Sequence, residues 1–329
     1  MIYIKVKREE TEKAKEKMFE MDMLDDNYRI FVDDEYGYIP VKNHVDGYEI
    51  VESEGVRRQR NQNPYEKIRT QFPLREFRDL LPDKWEKFGD IVLLKLPEEL
   101  IPYKYIVGKT YSDVLNAKSV INYQYVRGEL REPVGEIIYG TDSETVHLEN
   151  GIYYKFDALK IMFSSGNVDE RIRVSKFNLL DMRVVDMFAG IGYFSIPIAR
   201  YTLAERIISI EKNPISHSYL KENIKINNVK NIIPVLGDNR EIRIMDWADM
   251  VLMGYIHTSS FIEHAVRMLK RKGIIIYHDT FTKEEIRNIE ERMDEFFGKY
   301  QYSIIRKHIL KSYAPSIYHL VFDIFLRKV

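Results

Sequence analysis

The second half of the chain alternates between short apolar runs and longer amphipathic stretches. The apolar runs predict strands and lie at residues 184–187, 207–210, 232–236, 250–253 and 273–278. The amphipathic stretches predict helices and lie at residues 194–201, 214–227, 261–270 and 283–297. Alternation with short connections predicts a mainly parallel sheet with helices on both faces. The last apolar runs, 302–309 and 319–327, predict an antiparallel pair that closes the sheet.

The first half of the chain has a different pattern, which predicts further domains. Residues 1–45 predict a small domain of short strands and one charged helix. Residues 46–64 contain a polar, basic run, 57–63, which predicts a linker and offers arginines to phosphate groups. Residues 65–165 predict an α+β domain, and residues 166–329 form the alternating part.

The α+β part is rich in tyrosines and basic side chains. Such a mixture can stack on RNA bases and contact phosphates, and it can equally consist of half-buried sheet residues. The side chains are Tyr103, Lys104, Tyr105, Tyr111, Tyr123, Tyr125, Arg127 and Arg131.

A turn with two glycines follows the first strand of the alternating part. Gly190 and Gly192 permit a sharp turn and the close approach of a ligand to the backbone. Glu211, at the end of the next strand, can accept hydrogen bonds from ribose hydroxyls. A dinucleotide-binding pattern is incomplete, because Ser195 stands where its third glycine would fall. The sequence therefore predicts a nucleoside site at the carboxyl ends of the strands.

Loops after neighbouring parallel strands meet at one edge of a sheet, so several loops are expected to form this site. Asp238 and Asn239 form an acid–amide pair suited to an adenine amine, and a plain turn explains them equally well. The predicted contributors are Asp186, Phe188, Ala189, Gly190, Gly192, Glu211, Lys212, Asn213, Asp238, Asn239, Met253 and Gly254.

A polar segment lies just upstream of the alternating part, at a domain junction that suits a binding site. Ser164, Ser165 and Asn167 offer hydrogen-bond donors for a carboxylate, while Glu170 and Arg171 carry charges of both signs. Helix capping explains the same residues, with Asn167 as the N-cap and Glu170 completing a capping box. The sequence supports both interpretations.

Composition limits the chemistry that the chain can perform. The 329 residues suffice for two or three domains, and a net charge of −1 excludes a uniformly basic surface but allows a local basic face. The absence of cysteine excludes disulfides and thiol nucleophiles. His257 has no second histidine at metal-ligand spacing, so no metal is predicted. Without a leader or a long apolar run, we expect a cytoplasmic monomer with no membrane partner.

Four motifs together resemble a known family. They are residues 186–190 with Gly192, residues 211–214, residues 139–147 and residues 312–315. These motifs look like those of the archaeal and eukaryotic enzymes that modify position 37 of tRNA. That family comprises the tRNA guanine-37 N1-methyltransferases and the wyosine-pathway aminocarboxypropyl transferases, and the resemblance covers nearly the whole chain.

The resemblance implies a fold, a cofactor and a partner. The fold is α/β, that of a class I S-adenosylmethionine-dependent transferase with a Rossmann-like, mainly parallel sheet and a C-terminal antiparallel hairpin. S-adenosylmethionine is the implied group donor and tRNA the implied partner. Residues 1–45 resemble the small domain that recognises the outer corner of tRNA in the methyltransferases, and Arg131 falls near a basic residue of the family that contacts RNA.

Two departures from the methyltransferase pattern favour the aminocarboxypropyl branch. Met253, Gly254 and Tyr255 replace an Asn-Leu-Pro triplet, and Gly166 stands in place of a catalytic arginine, while Glu170 matches the general base. The resemblance therefore implies transfer of the 3-amino-3-carboxypropyl group to 4-demethylwyosine at position 37 of tRNA-Phe, with release of methylthioadenosine. Glu170 and Tyr255 are the candidate catalytic residues.

The alternatives differ in which carbon of the sulfonium cofactor faces the acceptor. We expect Ser164, Ser165 and Asn167 to hold the amino-acid moiety so that its γ-carbon is exposed. The small N-terminal domain is more usual in the methyltransferases, so a guanine-37 N1-methyltransferase or a wyosine-pathway methyltransferase is the alternative. A non-catalytic tRNA-binding protein is an alternative of another class.

Overall fold

The computed structural model describes residues 1–58 and 63–328, which divide into two compact units, Met1–Lys67 and Ile68–Val329. Residues 59–62, most of the basic run predicted to contact phosphates, lie outside the described residues. None of the described helices combines the length and the apolar character that crossing a membrane would require.

The first unit is a small antiparallel sheet covered by one helix. Its elements are β1 (Ile2–Lys7), α1 (Thr11–Glu20), β2 (Phe31–Val32), β3 (Tyr36–Pro40) and β4 (Glu49–Glu52), and the strand order is β2-β3-β1-β4. Ala14 and Met18 of α1 are buried against Ile4 and Ile39 of the sheet. The helix period of α1 and the alternation of the strands therefore meet in one core, as predicted. Strand β4 lies in the segment whose pattern indicated no strand.

The second unit begins with a four-stranded mixed sheet. After α2 (Pro64–Gln71) come β5 (Trp85–Phe88), β6 (Ile91–Leu94), α3 (Lys104–Leu115), β7 (Ser119–Arg127) and β8 (Glu132–Tyr139), with strand order β5-β6-β7-β8. Strands β6 and β7 are parallel because α3 connects them. A two-stranded sheet follows, formed by β9 (Glu144–Glu149) and β10 (Ile152–Asp157).

A seven-stranded sheet forms the rest of the second unit. Its elements in chain order are α4 (Val168–Val174), β11 (Arg183–Asp186), α5 (Ser195–Tyr201), β12 (Arg206–Glu211), α6 (Pro214–Ile226), β13 (Ile232–Leu236), β14 (Ala248–Met253), α7 (Ile262–Met268), β15 (Leu269–Thr282), α8 (Lys283–Arg287), α9 (Ile289–Phe297), β16 (Gln301–Ala314) and β17 (Ile317–Arg327). The strand order is β13-β12-β11-β14-β15-β17-β16. Five strands are parallel, and β17 and β16 are antiparallel to their neighbours. The predicted class I transferase fold is confirmed.

The central parallel strands β11 and β14 are buried on both faces, which explains their continuous apolar runs. On β11, Val184 packs into one core and Val185 into the other. The first of these cores continues into the mixed sheet and the β9–β10 pair through residues such as Ile121 and Phe156. The seven-stranded sheet and the preceding α+β part therefore share one hydrophobic core.

Three predicted boundaries are wrong. The helix predicted to reach residue 270 ends at Met268, because β15 begins at Leu269 and extends to Thr282. The helix predicted for 283–297 is interrupted at Asn288. The loop predicted around 312–316 is a tight hairpin turn, in which Ser316 takes a left-handed conformation (φ 60°) and β16 continues to Ala314.

Asn223 of α6 and Asn227, which directly follows this helix, attach the helix to the edge of β10. Asn223 accepts from the Lys155 amide (2.7 Å) and donates to the carbonyl oxygens of Lys155 (3.2 Å) and Ile191 (3.0 Å). One turn later, Asn227 accepts from the Tyr153 amide (2.9 Å) and donates to its carbonyl oxygen (2.7 Å). Because one helical turn matches two residues of a strand, the two side chains satisfy alternate residues of an otherwise unpaired edge.

We predict that Asn223→Leu destabilises the fold by about 3 kcal/mol, because it leaves buried backbone groups of Lys155 and Ile191 without partners. Urea unfolding should show a lower midpoint with an unchanged m-value. Asn288→Leu is the control, since Asn288 is exposed and makes no capping hydrogen bond, and it should change stability by less than about 0.5 kcal/mol. Equal losses in both variants would contradict the role given to Asn223.

Candidate active site

A cavity of about 610 Å³ opens at the carboxyl ends of β11, β12, β13 and β14. This is the edge of a parallel sheet at which ligands of such folds bind. The predicted residues that line it are Ser164, Asn167, Arg171, Phe188, Gly190, Glu211, Lys212, Asp238, Asn239, Gly254 and Tyr255. Loops that are far apart in sequence thus meet around one space.

The first loop is held in place by a buried carboxylate. Asp186 accepts hydrogen bonds from the Ser195 hydroxyl (2.6 Å) and the Phe188 amide (3.3 Å), and the Ser209 hydroxyl is 2.7 Å from that of Ser195. Complete burial raises the pKa of Asp186 to about 7, although the Ser195 hydrogen bond opposes this shift. Asp186 lies beneath the cavity, so it shapes the loop without facing a ligand.

Glu211 connects the first loop to the second. One of its carboxylate oxygens accepts from the Gly190 amide and the other from the Asn213 amide, both at 2.7 Å. Gly190 has φ +57°, a conformation that a residue with a Cβ adopts only with strain. Burial raises the pKa of Glu211 against these backbone hydrogen bonds. The carboxylate lines the cavity and thus combines a structural role with a position suited to hydroxyl groups.

The third loop contributes Asp238, whose carboxylate is paired with cations, and Asn239, whose amide oxygen has no hydrogen-bond partner. Asp238 is paired with Arg240 (2.5 Å) and with Lys212 (3.2 Å), and the Arg240 hydrogen bond is the main reason why its pKa lies well below the ordinary range. Asn239 is buried and donates to the Met187 carbonyl oxygen, but its own amide oxygen has no partner. An unpaired buried acceptor in a cavity wall suits an amine of a ligand.

An aromatic wall forms another side of the cavity. Phe188 and Tyr255 stack with ring centroids 5.6 Å apart and an interplanar angle of 26°. The Tyr255 hydroxyl donates to the Glu129 carbonyl oxygen (3.1 Å), and the Arg131 guanidinium lies 6.0 Å from its ring. Burial raises the pKa of Tyr255. The wall can therefore contact a flat ring while its polar edge remains bonded to the β7–β8 turn.

The opposite end of the cavity is cationic. Lys311 of β16 donates to the Ser164 hydroxyl (3.0 Å) and to the Asn167 amide oxygen (2.7 Å). Burial lowers the pKa of Lys311, and the positive charges of Arg131 and Arg171 lower it further. A Cβ at Gly166 would lie only 3.0 Å from the Lys311 nitrogen, so the ammonium group occupies the space beside this glycine.

Several predicted residues lie outside the cavity lining: Ser165, Glu170, Asp186, Ala189, Gly192, Asn213 and Met253. Ser165 is exposed and donates to Glu86, while Ala189 and Met253 are buried in the core. Asn213 caps α6 through its side-chain oxygen, which accepts from the Ile215 amide at 2.9 Å. Of the triplet Met253, Gly254 and Tyr255, the last two residues line the cavity, whereas Met253 and Gly166 are not among the lining residues.

The interpretation of Asn167 and Glu170 as a capping box is wrong. Asn167 stands at the N-cap of α4 without capping it, because its side chain accepts from Lys311 instead. Arg171 lines the cavity, but its guanidinium is committed to the Glu149 carboxylate (2.6 Å) and the Ser164 carbonyl oxygen (3.0 Å). Arg171 therefore stabilises the segment around Ser164, and its positive charge is already paired with Glu149.

Glu170 lies at the centre of a buried polar cluster behind the cavity. It pairs with Arg173 (2.7 Å) and lies 3.2 Å from His308 Nε2 and 3.5 Å from His278 Nε2. Arg173 in turn pairs with Asp323 (2.5 Å). Burial alone would raise the pKa of Glu170, but the His278 and Arg173 hydrogen bonds outweigh it and hold that pKa well below its usual range.

The sequence did not reveal several residues of the cavity, which are Glu129, Met162, Tyr193, Lys311 and His319. Lys311 and His319 face each other across the β16–β17 hairpin. Each is one of several polar residues in its strand, and only the folded hairpin brings them to the ends of distant loops. The apolar runs 302–309 and 319–327 predicted this hairpin, but no signal in them singled out these two side chains.

The residues present fit S-adenosylmethionine. Glu211 suits the ribose hydroxyls, the unpaired oxygen of Asn239 suits the adenine amine, and Lys311 suits a carboxylate. The aromatic wall adds an apolar face, and the volume is of the size that small-molecule sites usually have. Each polar end of that molecule thus finds a complementary group in the wall.

Comparison with known families agrees with this geometry. The model described as the TRM5/TYW2 methyltransferase domain matches residues 145–305, the TYW2 N-terminal domain matches residues 67–143, and the tRNA methyltransferase 5 N-terminal domain matches residues 4–49. Both branches of one family are therefore represented in the chain.

Individual relatives give the same result. A tRNA(Phe) (4-demethylwyosine(37)-C(7)) aminocarboxypropyltransferase from Pyrococcus horikoshii is 42% identical over 250 residues, which are 74% of this chain and 90% of the relative. The crystal structure of P. horikoshii TYW2 in complex with MeSAdo has a TM-score of 0.71 and 39% identity, covering 81% of this chain and 98% of that one. The crystal structure of Trm5b from Pyrococcus abyssi has a TM-score of 0.73 and 33% identity, covering 99% of both chains. The chain therefore belongs to the TRM5/TYW2 family.

Proposed function

We propose that the chain transfers the 3-amino-3-carboxypropyl group of S-adenosylmethionine to 4-demethylwyosine at position 37 of tRNA-Phe and releases methylthioadenosine. The observation that carries the proposal is at Gly166, where the resemblance places the arginine of the methyltransferase branch. This position has no side chain, and the Lys311 ammonium group occupies the neighbouring space. The P. horikoshii relative, 42% identical, is named for the same reaction.

S-adenosylmethionine supplies a sulfonium centre that activates each of the three carbons attached to sulfur. The task of the protein is to select one of them by orientation. Glu211 and Asn239 hold the nucleoside in one part of the cavity. Lys311 with its partners Ser164 and Asn167, together called the Lys311 corner, holds the amino-acid moiety in another part. With both ends fixed, the carbon that faces the acceptor base is determined.

The Lys311 corner suits a carboxylate for electrostatic reasons. Its hydrogen-bond partners, Ser164 and Asn167, are neutral, and the charges of Arg131 and Arg171 repel it. A bound carboxylate would relieve this repulsion and would accept a charge-assisted hydrogen bond. Ser164 and Asn167 then orient the Lys311 ammonium group, whereas the sequence had led us to expect that they, with Ser165, would hold the amino-acid moiety themselves.

The domains that precede the seven-stranded sheet bind the tRNA substrate in this proposal. Residues 1–45, together with strand β4 that pairs with β1, serve as the small domain that recognises tRNA, and residues 65–165 serve as the RNA-binding and connecting domain. Tyr105 and Tyr125 are more than half exposed, so they can stack on bases. Tyr111 is buried and has a structural role. We further propose that the enzyme acts as a monomer in the cytoplasm.

A second candidate function is methyl transfer to guanine at position 37. The match of residues 4–49 to the tRNA methyltransferase 5 N-terminal domain favours it, as does the similarity to Trm5b along the whole chain. The two reactions use the same adenosine contacts and differ in the carbon transferred. Label transfer distinguishes them directly.

We predict that S-adenosylmethionine labelled in its carboxyl group transfers label to 4-demethylwyosine-containing tRNA-Phe, whereas methyl-labelled cofactor does not. The physical reason is that the held amino-acid moiety, and not the methyl group, faces the acceptor. Scintillation counting of precipitated tRNA measures both transfers, with guanine-37 tRNA as the parallel acceptor. Methyl label in tRNA without carboxyl label would overturn the proposal in favour of the methyltransferase.

We predict that Glu211→Gln weakens S-adenosylmethionine binding by about tenfold or more, because a glutamine amide cannot accept from both the Gly190 and the Asn213 amides. Calorimetry measures cofactor affinity, and filter binding measures tRNA affinity, which should change by less than about twofold. The matched control is Glu205→Gln, an exposed partner of Arg183 with little expected effect. Equal loss of cofactor and tRNA binding would indicate misfolding instead.

We predict that Lys311→Met weakens S-adenosylmethionine binding by about tenfold to a hundredfold but leaves methylthioadenosine binding nearly unchanged. Methylthioadenosine lacks the carboxylate that Lys311 is proposed to hold, so the comparison isolates that contact. Calorimetry with both ligands measures the difference, and Lys307→Met, an exposed position on the same strand, is the control. A similar loss for both ligands would contradict the assignment of Lys311.

A further inference from the structure

His319 of β17 lines the cavity, although it is 97% buried, and the proposed reaction gives it no role so far. Its Nε2 lies 3.2 Å from Nδ1 of His278, which is itself completely buried. Nε2 of His278 lies 3.5 Å from a carboxylate oxygen of Glu170. A chain of polar groups therefore runs from the interior carboxylate through two imidazole rings to the cavity wall.

The carboxylate at the inner end determines which ring nitrogens carry hydrogen. Glu170 is ionised, so it only accepts, and its Oε1 lies 3.5 Å from His278 Nε2, which makes no hydrogen bond in the described part of the chain. The negative charge of Glu170 therefore favours hydrogen on Nε2 of His278, which leaves its Nδ1 as an acceptor for a hydrogen on Nε2 of His319. In that arrangement Nδ1 of His319 has no hydrogen and is the ring nitrogen available to a molecule in the cavity.

The surroundings keep His319 neutral. Burial lowers its pKa to about 3, and the nearby positive charge of Lys311 acts in the same direction. Glu170 of α4 opposes them, and His308 of β16 adds to them.

Other titratable groups of the cavity are committed elsewhere. Glu211 accepts from two backbone amides, Asp238 is paired with Arg240 and Lys212, and Glu129 is paired with Lys212. Lys311 lies among positive charges and suits an anion. Among the described lining residues, His319 is thus a neutral, buried group whose orientation is fixed from behind.

We propose that His319 is a catalytic base that removes the proton from the acceptor ring carbon of the tRNA base, with His278 and Glu170 as positioning residues. This inference rests on the proposed function, in which a ring carbon is the acceptor. The order His319–His278–Glu170 follows the logic of a nucleophile-activating triad, in which each group sets the tautomer of the next.

The transfer forms one carbon–carbon bond and breaks one carbon–sulfur bond and one carbon–hydrogen bond. A bond forms between the acceptor ring carbon and the transferred carbon, the bond from that carbon to sulfur breaks, and its electron pair stays on sulfur. The acceptor carbon then carries both a hydrogen and the new substituent. Its proton passes to Nδ1 of His319, and the electrons of the carbon–hydrogen bond restore the aromatic ring. Even a weak base suffices, because such a ring carbon is strongly acidic until aromaticity returns.

The test uses the full-length enzyme and tRNA carrying deuterium on the acceptor carbon. His319→Asn should slow product formation by about a hundredfold or more under single-turnover conditions. It should also produce a deuterium isotope effect that the wild type lacks, because proton removal becomes rate-limiting. Cofactor affinity by calorimetry and the thermal unfolding midpoint should stay close to wild type, which separates chemistry from folding. His44→Asn is the matched control, since His44 is exposed and is not among the residues that line the cavity.

A measurement independent of turnover examines the same assignment. Nitrogen NMR of the wild type should show His319 neutral at pH 6, with hydrogen on Nε2 and none on Nδ1. His319→Asn identifies the resonance, and His278→Asn should change its tautomer balance.

The experiments distinguish a wrong assignment of His319 from a wrong proposed function. A His319→Asn rate within about threefold of wild type, a slow rate without the isotope effect, or hydrogen on Nδ1 would each overturn the assignment of His319. Absence of aminocarboxypropyl transfer by the wild type would overturn the proposed function, and this assignment with it.

Discussion

The carboxylate of Glu211 is the contact on which the cavity depends most directly. It accepts from backbone amides on two loops, one after β11 and one after β12, both at 2.7 Å. Without it, the left-handed turn at Gly190 would lose the acceptor that holds it against the second strand. The same carboxylate faces the cavity, so the group that shapes the loops is also the group best placed for ribose hydroxyls.

The buried Asp186 complements this arrangement from below. Its contacts to Ser195 and Phe188 fix the start of the first loop, and the stacked pair of Phe188 and Tyr255 then forms the cavity wall. Polar groups that never meet the ligand thus determine where the ligand-facing groups stand. The cost of burying Asp186 appears in its raised pKa of about 7.

The sheet and its helices could be predicted from the sequence, because parallel strands buried on both faces leave apolar runs such as residues 250–253 that alternate with helical periods. The glycine turn and Glu211 could also be predicted, because the glycines and the acid directly follow strands that the apolar runs indicate. Lys311 and His319 could not, since their importance arises from the hairpin that carries them to distant loops. Glu170 was predicted to be catalytic from the resemblance, but its position behind the cavity could not be predicted, because that position depends on the packing of β15 and β17 against α4.

The C-terminal hairpin therefore supplies the parts of the site that an adenosine-binding loop alone lacks: a cation for an anionic group and a neutral imidazole. These features concern which part of the cofactor moves, and that choice is the central claim. The most direct measurement is chromatographic identification of the nucleoside released during single-turnover reaction with 4-demethylwyosine-containing tRNA-Phe. Methylthioadenosine released in equal amount to modified tRNA is the predicted result, whereas S-adenosylhomocysteine would contradict it.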